Sequence, residues 1–597
     1  MKPIALGLIL ATCLAFPAVA AEPGGPAALI TRTEAVRIAI QGQIADKTGS
    51  GAAQQVALAE YYSVPDRRLL WVDESGLTPR GKAIVAEIAK ADDYGLRASD
   101  YSLPDNSLFN PSDADAVDWL AGAELKISTA VLEYAKDARG GRLEPQRLSK
   151  NLDPTLFLPN PAEVIAFIAL RSDPAAYLRS FQPSQPQFEA LRQKLLQLRN
   201  GGEPAEPADP PVVVIPDGPV LKLGVDHEHV ALLRKRLTMP VSTSGNETLF
   251  DNDVFEAVRQ FQREHGLGAD GMVGAGTRAR LNNKQAPQQP GGDATIQALV
   301  INMERWRWLP QDLGPFYVTV NIPEFMLRIV DDGTPIHETR VVVGKTDKQT
   351  PVFSDFMEEI VFRPYWNVPN SIKTEEIAPY LYQGGGFFGG GWDTSVLRRH
   401  NLRIRGYNGR DIDPDSVDWG STDIRRYELY QPPGPGNVLG MMKFVFPNTH
   451  DVYMHDTTQK HLFAKAVRTE SHGCMRVQNP DQVATILLKQ DQDWTAGHVA
   501  SAVQGHDDNH IALKQHIPVY ITYLTLRVND DGSMARFRDI YGHDARMAAA
   551  LSGEPLLYDT PTVPQEVVAS DTTRRVNRRV RQRATFENDF TRALFGF

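Results

Sequence analysis

The chain has 597 residues, of which 42% are hydrophobic and 23% are charged. This length exceeds what one compact domain uses, so three to four folded units are expected. The 63 basic and 73 acidic residues give a formal net charge of −10, which disfavours a nucleic-acid-binding protein held by phosphate contacts. The two cysteines, Cys13 and Cys474, are too few for a disulfide scaffold or for a zinc site built mainly from thiolates.

The first 21 residues have the pattern of a secretory signal peptide. Lys2 precedes an apolar run over Ile4–Phe16, and Ala18-Val19-Ala20 forms a small-x-small cleavage site before Ala21. The run is shorter than the roughly 20 residues that a membrane span needs. We therefore predict a signal peptide over residues 1–21 rather than an anchor, and no transmembrane segment after its cleavage.

Cleavage of the signal leaves a single thiol in the protein. Acylation of Cys13 as a lipoprotein is disfavoured, because Thr12 is bulkier than the residue that usually precedes a lipidated cysteine. Exported proteins usually pair their cysteines or lack them. Cys474 is therefore either an inert buried residue or a retained nucleophile.

Residues 30–200 are predicted to be helical. Thr78-Pro79 is typical of a helix start, with an N-cap followed by proline at the first helical position. Further helices are expected over Ala123–Arg139 and Gln187–Arg199. The charges in this region are scattered, which indicates a support domain without chemistry of its own, and the Pro-rich, acidic stretch over 201–219 indicates a linker.

A small helical unit is predicted over residues 220–283. Asp251 can cap a helix whose apolar residues recur at i, i+4 and i+7. The signature residues are Val258, Phe261-Gln262, Gly266-Leu267, Asp270-Gly271, Val273-Gly274 and Thr277. This pattern resembles the three-helix peptidoglycan-binding module. A generic helical bundle is the alternative, and the export signal disfavours a helix-turn-helix DNA reader.

From about Ala294 the pattern changes to the two-residue alternation of β-strands. Phe316–Ile322 alternates apolar and polar residues, Phe325–Val330 repeats this after a turn, and Val519–Val528 supplies another strand. Asn479-Pro480 is predicted to begin a helix. A mostly β domain with one or two helices is therefore expected over 294–545, which makes the whole chain multidomain α+β.

Two segments stand out from their surroundings. The insertion, residues 373–440, contains two glycine triplets around Phe387-Phe388, and this composition favours a mobile lid over the alternative of an unstructured surface loop. The tail, residues 561–597, has six arginines between Arg574 and Arg583. It is predicted either to make a weak contact with an anionic envelope surface or to be merely solvated.

The candidate chemistry lies in two short motifs. His455 lies in Val452–Thr457, and Cys474 follows it by nineteen residues within Ser471-His472-Gly473-Cys474-Met475-Arg476-Val477. Acyl transfer by a thiol needs a base, a group that orients the base, and donors for the oxyanion. His455 and His472 are the candidate bases, and the amides of Gly473 and Cys474 are the candidate oxyanion donors.

The spacing H-x(18)-C with S-H-G-C-x-R resembles the L,D-transpeptidase (YkuD-type) catalytic signature. The segments Asn302–Pro310, Val343-Gly344-Lys345, Thr350-Pro351 and Trp366–Ile372 extend the likeness to the large YcbB-like branch, which combines a helical scaffold, a peptidoglycan-binding module and an inserted lid. The resemblance implies that Cys474 is the nucleophile, that His455 is its base, and that His472 and Gly473 shape the oxyanion loop. Asp456 would orient the base through its carboxylate or its carbonyl.

The same resemblance implies a substrate site and a reaction. Arg476 would hold a substrate carboxylate or brace the loop, and Ser471, Tyr453, Trp366 and Asn367 would lie at the substrate. The expected enzyme is periplasmic and associated with the cell wall, needs no cofactor or metal, and binds peptidoglycan stem peptides and glycan strands. It would cleave the bond between a diamino acid and D-Ala of a tetrapeptide stem through a thioester, and form 3→3 cross-links.

Other functions stay open at this point. The same thioester chemistry would serve an L,D-carboxypeptidase or the attachment of a lipoprotein to the wall. A non-catalytic wall-binding scaffold is a different class. A zinc hydrolase is a third, with candidate ligands His450, His455, His461, His472 and Cys474, but these residues lack a recognised metal-binding spacing.

Overall fold

The structure of the protein is a computed structural model. It describes residues 31–45, 53–64, 67–200, 213–237, 239, 245–264, 271–282, 292–381, 393–406, 409–465 and 467–554. The predicted signal peptide at 1–21, the glycine triplets around Phe387-Phe388 and the tail at 561–597 lie outside the described residues. No helix within these ranges combines the length and the apolar character that crossing a bilayer requires.

The N-terminal region is helical, as predicted. Thr78 is the N-cap of a helix and accepts the Gly81 N–H at 3.1 Å, with Pro79 at the first helical position. The helices are α1 Arg32–Ala45, α2 Ala53–Ser63, α3 Pro79–Ile88, α4 Ala116–Gly140, α5 Pro145–Leu148, α6 Pro161–Leu170, α7 Pro174–Arg179 and α8 Pro186–Arg199, with a hairpin of β1 Val72–Asp73 and β2 Gly76–Leu77. The long helix α4 is the centre of the apolar core. It includes the helix predicted over 123–139.

The small unit that follows has three helices, α9 Glu228–Arg236, α10 Asn252–Glu264 and α11 Ala275–Leu281. Asp251 caps α10 by accepting the Val254 N–H at 3.0 Å. The Gln262 side chain accepts the Gly271 N–H at 2.8 Å and donates to the Met272 carbonyl at 2.9 Å. The glutamine of the sequence signature therefore fixes the turn that precedes α11. Residues 265–270 of that signature lie outside the described residues.

The third region begins with a helix where a β pattern was expected. Residues Gly292–Trp306 form α12, which packs against α8 of the first region, and strands begin only at Phe316. The expectation of β structure from Ala294 was therefore wrong at this end. The strands that follow are β3 Phe316–Asn321, β4 Met326–Asp331, β5 Thr334–Gly344 and β6 Phe353–Phe362.

The insertion has its own small sheet and apolar core. Its elements are β7 Trp366–Asn367, α13 Asn370–Ile372, α14 Ala378–Leu381, α15 Ser395–Arg399, β8 Arg403–Arg405, β9 Asp411–Ile412 and β10 Glu428–Gln431, with a π-helical turn over Lys373–Ile377 between α13 and α14. The strand order is β7-β10-β8-β9. The sheet thus includes β7, which lies before the predicted start at 373.

The remaining elements complete the large sheet. They are β11 Met442–Val445, β12 Met454–His455, β13 Thr469–Ser471, β14 Met475–Val477, α16 Pro480–Gln492, α17 Ala496–Gln504, β15 Asn509–Thr522, β16 Leu526–Val528, β17 Met534–Arg536 and α18 His543–Ser552. The order is β13-β5-β14-β12-β11-β6-β15-β3-β4, and β4 also pairs with β5, so the sheet closes on itself. This mixed sheet beside helical units confirms the α+β class.

The single strand predicted over Val519–Val528 is interrupted. The Leu524 N–H donates to Asn321 Oδ1 at 2.8 Å, and the Thr525 N–H donates to Asn302 Oδ1 at 2.8 Å. These backbone groups therefore bond to side chains instead of a neighbouring strand, which ends β15 at Thr522. Asn302, which belongs to the Asn302–Pro310 motif, thereby joins α12 to the sheet.

Candidate active site

Three neighbouring strands bring the candidate residues to one face of the sheet. In the parallel pair β12–β14, His455 lies opposite Arg476, and in the antiparallel pair β11–β12 it lies opposite Lys443. Side chains two residues apart on a strand share a face. Tyr453 and Cys474 therefore lie on this same face, and the Met475 N–H to Tyr453 carbonyl bond of 3.1 Å extends the pairing to them.

The His455 imidazole is buried, with 5% of the residue exposed, and one nitrogen is held by the main chain. Nδ1 lies 2.5 Å from the carbonyl oxygen of Asp456. Because a carbonyl only accepts, Nδ1 carries the proton and Nε2 keeps its lone pair. Burial, followed by the charge of Arg476, lowers the pKa of His455 to about 3. The ring is a neutral base at neutral pH.

The Asp456 carboxylate has a different task from its carbonyl. It accepts the Met441 N–H at 2.9 Å and the Thr457 N–H at 2.7 Å, and it pairs with Lys460. A Cβ at Gly440 would come within 2.3 Å of one carboxylate oxygen, so only glycine allows this approach. Of the two alternatives for Asp456, the carbonyl is therefore the group that contacts the imidazole, while the carboxylate accepts backbone N–H groups of Met441 and Thr457.

Cys474 is partly exposed and follows a strained glycine. Its sulfur lies 3.9 Å from the Asp451 carbonyl. Burial raises the pKa of the thiol, while the main chain of Tyr453, the charge of Lys443, the Tyr453 hydroxyl and the charge of Arg476 act in the opposite direction. At neutral pH a neutral thiol and a neutral imidazole therefore share this face of the sheet.

The loop before Cys474 is fixed from both sides. Ser471 Oγ donates to the Cys474 carbonyl at 2.5 Å and accepts the Gly473 N–H at 3.3 Å, and Thr350 Oγ1 donates to the Gly473 carbonyl at 2.7 Å. Gly473 has φ = +114°, a conformation that side chains disfavour. Since the Gly473 amide already has an acceptor, the Cys474 amide is the donor that the described structure leaves for an oxyanion. The Ser471 hydroxyl thus makes its hydrogen bonds within the loop that contains Cys474.

His472 points toward the insertion. Its Nε2 lies 2.6 Å from a carboxylate oxygen of Glu376, which belongs to the π-helical turn. The neighbouring Glu375 pairs with Lys348 of the β5–β6 connection. Two adjacent carboxylates thus join the insertion to the sheet domain, and one of them reaches the residue next to Gly473. Turns of π-helix often occur at functional sites.

Arg476 is buried, with 4% of the residue exposed, and it donates to Gln459 Oε1. Burial lowers its pKa to about 10, so it stays a cation at neutral pH. Of its two predicted tasks, this contact corresponds to bracing the loop rather than to holding a substrate carboxylate.

Tyr453 lies beside the thiol and Trp366 contacts the Tyr453 hydroxyl, whereas Asn367 has neither contact in the described structure. The Tyr453 hydroxyl has hydrogen-bond partners in the Trp366 indole and the Cys474 thiol, and its ring lies 5.7 Å from the His455 ring. Trp366 is buried and Tyr453 packs against the apolar core of the insertion. Asn367 is exposed, points to the opposite side of β7 from Trp366, and pairs through its backbone with Tyr430.

Four further residues belong to the site, and the sequence analysis assigned none of them a role. Lys443 places its Nζ 4.1 Å from the centre of the Tyr453 ring. Gln459, Thr350 and Glu376 hold Arg476, Gly473 and His472 respectively. Strand register and the fold of the insertion bring these residues together. Thr350 lies in the Thr350-Pro351 segment of the resemblance, whereas no quoted motif contains Lys443, Gln459 or Glu376.

The histidines of the zinc hypothesis have separate partners. His450 lies 2.9 Å from a carboxylate oxygen of Asp153, and His461 is exposed on a 3₁₀ turn. Across the described part of the chain, no group of three or more His, Cys, Asp or Glu side chains is placed to hold a metal ion.

Three family models match the chain. The L,D-transpeptidase catalytic domain (YkuD) matches residues 315–498, the "Putative peptidoglycan binding domain" matches 227–281, and the scaffold domain matches 56–195. A curated protein of Haemophilus influenzae, named "Putative L,D-transpeptidase", is 32% identical over 255 residues, which cover 42% of this chain and 49% of that protein. The match therefore spans about half the length of this relative.

Two solved structures are also similar. One is an L,D-transpeptidase from Xylanimonas cellulosilytica, with 14% identity and a TM-score of 0.16, covering 51% of this chain and 99% of the other. The second is a fused zinc-dependent amidase/peptidase and peptidoglycan-binding protein from Clostridium acetobutylicum, with 13% identity, a TM-score of 0.14, and coverage of 51% and 100%. By its family matches, the chain carries a YkuD-type L,D-transpeptidase catalytic domain together with a peptidoglycan-binding domain and a scaffold domain.

Proposed function

We propose that this chain is a periplasmic cysteine L,D-transpeptidase that makes 3→3 cross-links in peptidoglycan and so contributes to cell-wall biogenesis and cell shape. The observation that carries the proposal is the shared sheet face of Cys474 and His455, with the Asp456 carbonyl holding Nδ1 so that Nε2 is the basic atom. The predicted signal peptide supports the location.

The reaction has two steps. His455 Nε2 takes the proton of Cys474 as the sulfur attacks the carbonyl before the terminal D-Ala. The C–N bond breaks, D-Ala leaves with the proton returned by the imidazole, and a thioester remains. The side-chain amine of a second stem attacks the thioester and gives a proton to His455. The C–S bond breaks, and the imidazole returns that proton to the sulfur, which restores the thiol.

The oxyanion that forms in each step needs a donor in a fixed position. The Cys474 amide is the candidate, because Thr350 and Ser471 hold the adjoining peptide groups. Transfer also requires that water be kept from the thioester. The insertion supports this role, since Glu376 contacts His472 and the insertion's core packs on Tyr453.

The test is mass spectrometry of muropeptides after incubation of the protein with tetrapeptide-stem disaccharides. We expect a 3→3 dimer with the wild-type chain and none with Cys474→Ala, while Lys489→Met, a change on the exposed face of α16, leaves the yield unchanged. Tripeptide alone would indicate an L,D-carboxypeptidase, and a product only with a lipoprotein acceptor would indicate lipoprotein attachment. No product at all would favour a wall-binding scaffold.

A further inference from the structure

Lys443 lies on the same face of the sheet as His455 and contacts the Tyr453 ring. It is half-buried on β11, opposite His455, and its Nζ sits 4.1 Å from the centre of the Tyr453 ring. Among the described residues, Nζ makes no ion pair and no hydrogen bond. A half-buried cation left in this way is costly unless an anion appears beside it.

The carboxylates near Lys443 are engaged elsewhere. Glu359 lies 2.9 Å from His510 Nδ1, and Asp508 lies 3.4 Å from His510 Nε2 and near the Tyr365 N–H. Burial lowers the pKa of Lys443, and the charge of Cys474 is the largest influence that raises it, followed by Glu359 and Asp508. Lys443 also contacts the Tyr453 ring, whose hydroxyl is hydrogen-bonded to the Cys474 thiol, and the strand register places Lys443 and Cys474 on the same face of the sheet. The thiolate of Cys474 is therefore the anion that the fold presents to this lysine.

The other groups that face the thiol have their own contacts. The Arg476 side chain is held by Gln459, His455 is held by the Asp456 carbonyl, and Tyr453 is hydrogen-bonded through its hydroxyl. Asp451 offers only its carbonyl to the sulfur. Of the two cations around Cys474, Lys443 is the one without a hydrogen-bond acceptor in the described structure.

We propose that Lys443 is the counter-ion of the Cys474 thiolate, stabilising the negative charge on sulfur when His455 Nε2 removes the thiol proton. The proton passes from Sγ to Nε2, the electron pair stays on sulfur, and the ammonium of Lys443 keeps all its protons. The inference rests on the proposed function only for the use of Cys474 as the nucleophile. A purely structural lysine stacked on Tyr453 is the alternative.

The experiment measures the rate of iodoacetamide alkylation of Cys474 against pH in the mature chain, which has no other thiol. It needs no peptidoglycan, so its outcome is independent of whether the protein cross-links stems. The variants are Lys443→Met, which keeps the aliphatic length, Lys443→Arg, which keeps the charge, and Lys489→Met as a matched loss of one lysine far from the site. Thermal unfolding monitors the fold of each.

We expect Lys443→Met to raise the apparent pKa of the thiol by about one unit, in the range that a nearby opposite charge produces. At pH values below the thiol pKa of both proteins, Lys443→Met should be alkylated about threefold more slowly than the wild type. The thiolate fraction is about tenfold smaller, but the more basic thiolate is a better nucleophile and offsets part of this loss. Lys443→Arg and Lys489→Met should keep the wild-type profile. An unchanged profile in Lys443→Met would overturn the inference, and so would equal shifts in Lys443→Met and Lys443→Arg.

Discussion

Glu124 in the helical region and His455 in the sheet domain are both buried, but they are bonded in opposite ways. Both oxygens of Glu124 are used, by the Tyr62 hydroxyl at 2.8 Å, by Leu70 N–H at 2.6 Å and by Trp71 N–H at 2.8 Å, with Val72 N–H at 3.1 Å as a fourth donor. His455 has a hydrogen bond only at Nδ1 among the described residues.

The difference separates a polar group that holds a fold from one that is ready to react. Glu124 is fully buried and burial raises its pKa, yet four donors turn toward it, so it fixes the chain before α3 to helix α4. Within the described residues His455 keeps Nε2 without a hydrogen-bond partner, and Cys474 stays partly exposed, in a region where burial also shifts the pKa values of both. The fold supplies a hydrogen-bond donor to every acceptor position used at Glu124, but within the described residues it leaves Nε2 of His455 without a partner.

Replacing the base should have the largest effect. We expect His455→Ala to lower kcat/KM by about 10² to 10⁴, because the thiol loses the group that accepts its proton. Asp456→Asn should lose less than tenfold, since it keeps the carbonyl that holds Nδ1. Rates of 3→3 dimer formation from tetrapeptide stems measure both. A loss in Asp456→Asn as large as that in His455→Ala would mean that the carboxylate, not the carbonyl, serves the base.

The low pKa of His455, about 3, fixes the acid side of the pH profile. The imidazole is lost as a base only as the pH falls toward this value, because its protonated form is disfavoured above it. We therefore expect kcat/KM to show no His455-dependent fall between pH 7 and pH 5. If the pH profile of kcat/KM instead falls with a midpoint near the ordinary histidine pKa of about 6.5, and this fall disappears when His455 is replaced, the low pKa of His455 is contradicted.

Removing the satisfied carboxylate should act on stability instead. We expect Glu124→Ala to lower the free energy of unfolding of the helical region by at least about 3 kcal/mol, because four donors lose their acceptor in the interior. Urea unfolding followed by circular dichroism measures the change. The rate per folded molecule should stay at the wild-type value. An unchanged unfolding curve together with a loss of the cross-linking rate would show that Glu124 acts in the reaction and not in the stability of the helical region.

Gly473 combines both kinds of effect at one position. A Cβ there has room, its nearest neighbour being the Gln349 carbonyl at 3.6 Å, but the positive φ makes Gly473→Ala strained by about 1–3 kcal/mol. We expect kcat to fall by about tenfold or more as the Cys474 amide shifts. The control is Gly532→Ala, which has the same kind of backbone conformation at an open turn. Equal rates in both variants would refute the role of the loop.

Much of the fold follows from local pattern. The alternation over Phe316–Ile322, the Thr78-Pro79 helix start and the Asp251 cap gave elements that the structure contains, because each depends on neighbours within one turn or one strand. Helix α12 was missed at its start, although Asp293 lies in its first turn, and the helix packs against α8 of the first region. The domain boundaries stay predictions.

In the candidate site, too, some residues can be predicted from local motifs and others only from the fold. His455 and the segment from Ser471 to Arg476 can be found from the spacing of their motifs alone. His455 lies on β12 opposite Arg476 of the parallel strand β14, whereas Ser471 lies on β13, which pairs with β5. Lys443 comes from β11, and only its register with His455 shows that it faces the thiol. Asn367 was placed at the substrate by its motif, but the alternation of β7 turns it away from Tyr453; its role stays a prediction.

The smallest effect should come from the contact between insertion and loop. Glu376→Gln keeps the shape of the side chain but removes the charge that faces His472, a partly buried pair, and its effect should be about 1 kcal/mol or less. We expect the ratio of 3→3 dimer to tripeptide to fall a few-fold while total consumption of tetrapeptide changes less, because a looser insertion admits water to the thioester. Glu375→Gln, whose partner Lys348 is at the surface, is the matched control and should leave the ratio unchanged. If Glu375→Gln alters the ratio as much as Glu376→Gln does, the effect belongs to the general attachment of the insertion and not to its contact with the residue beside Gly473.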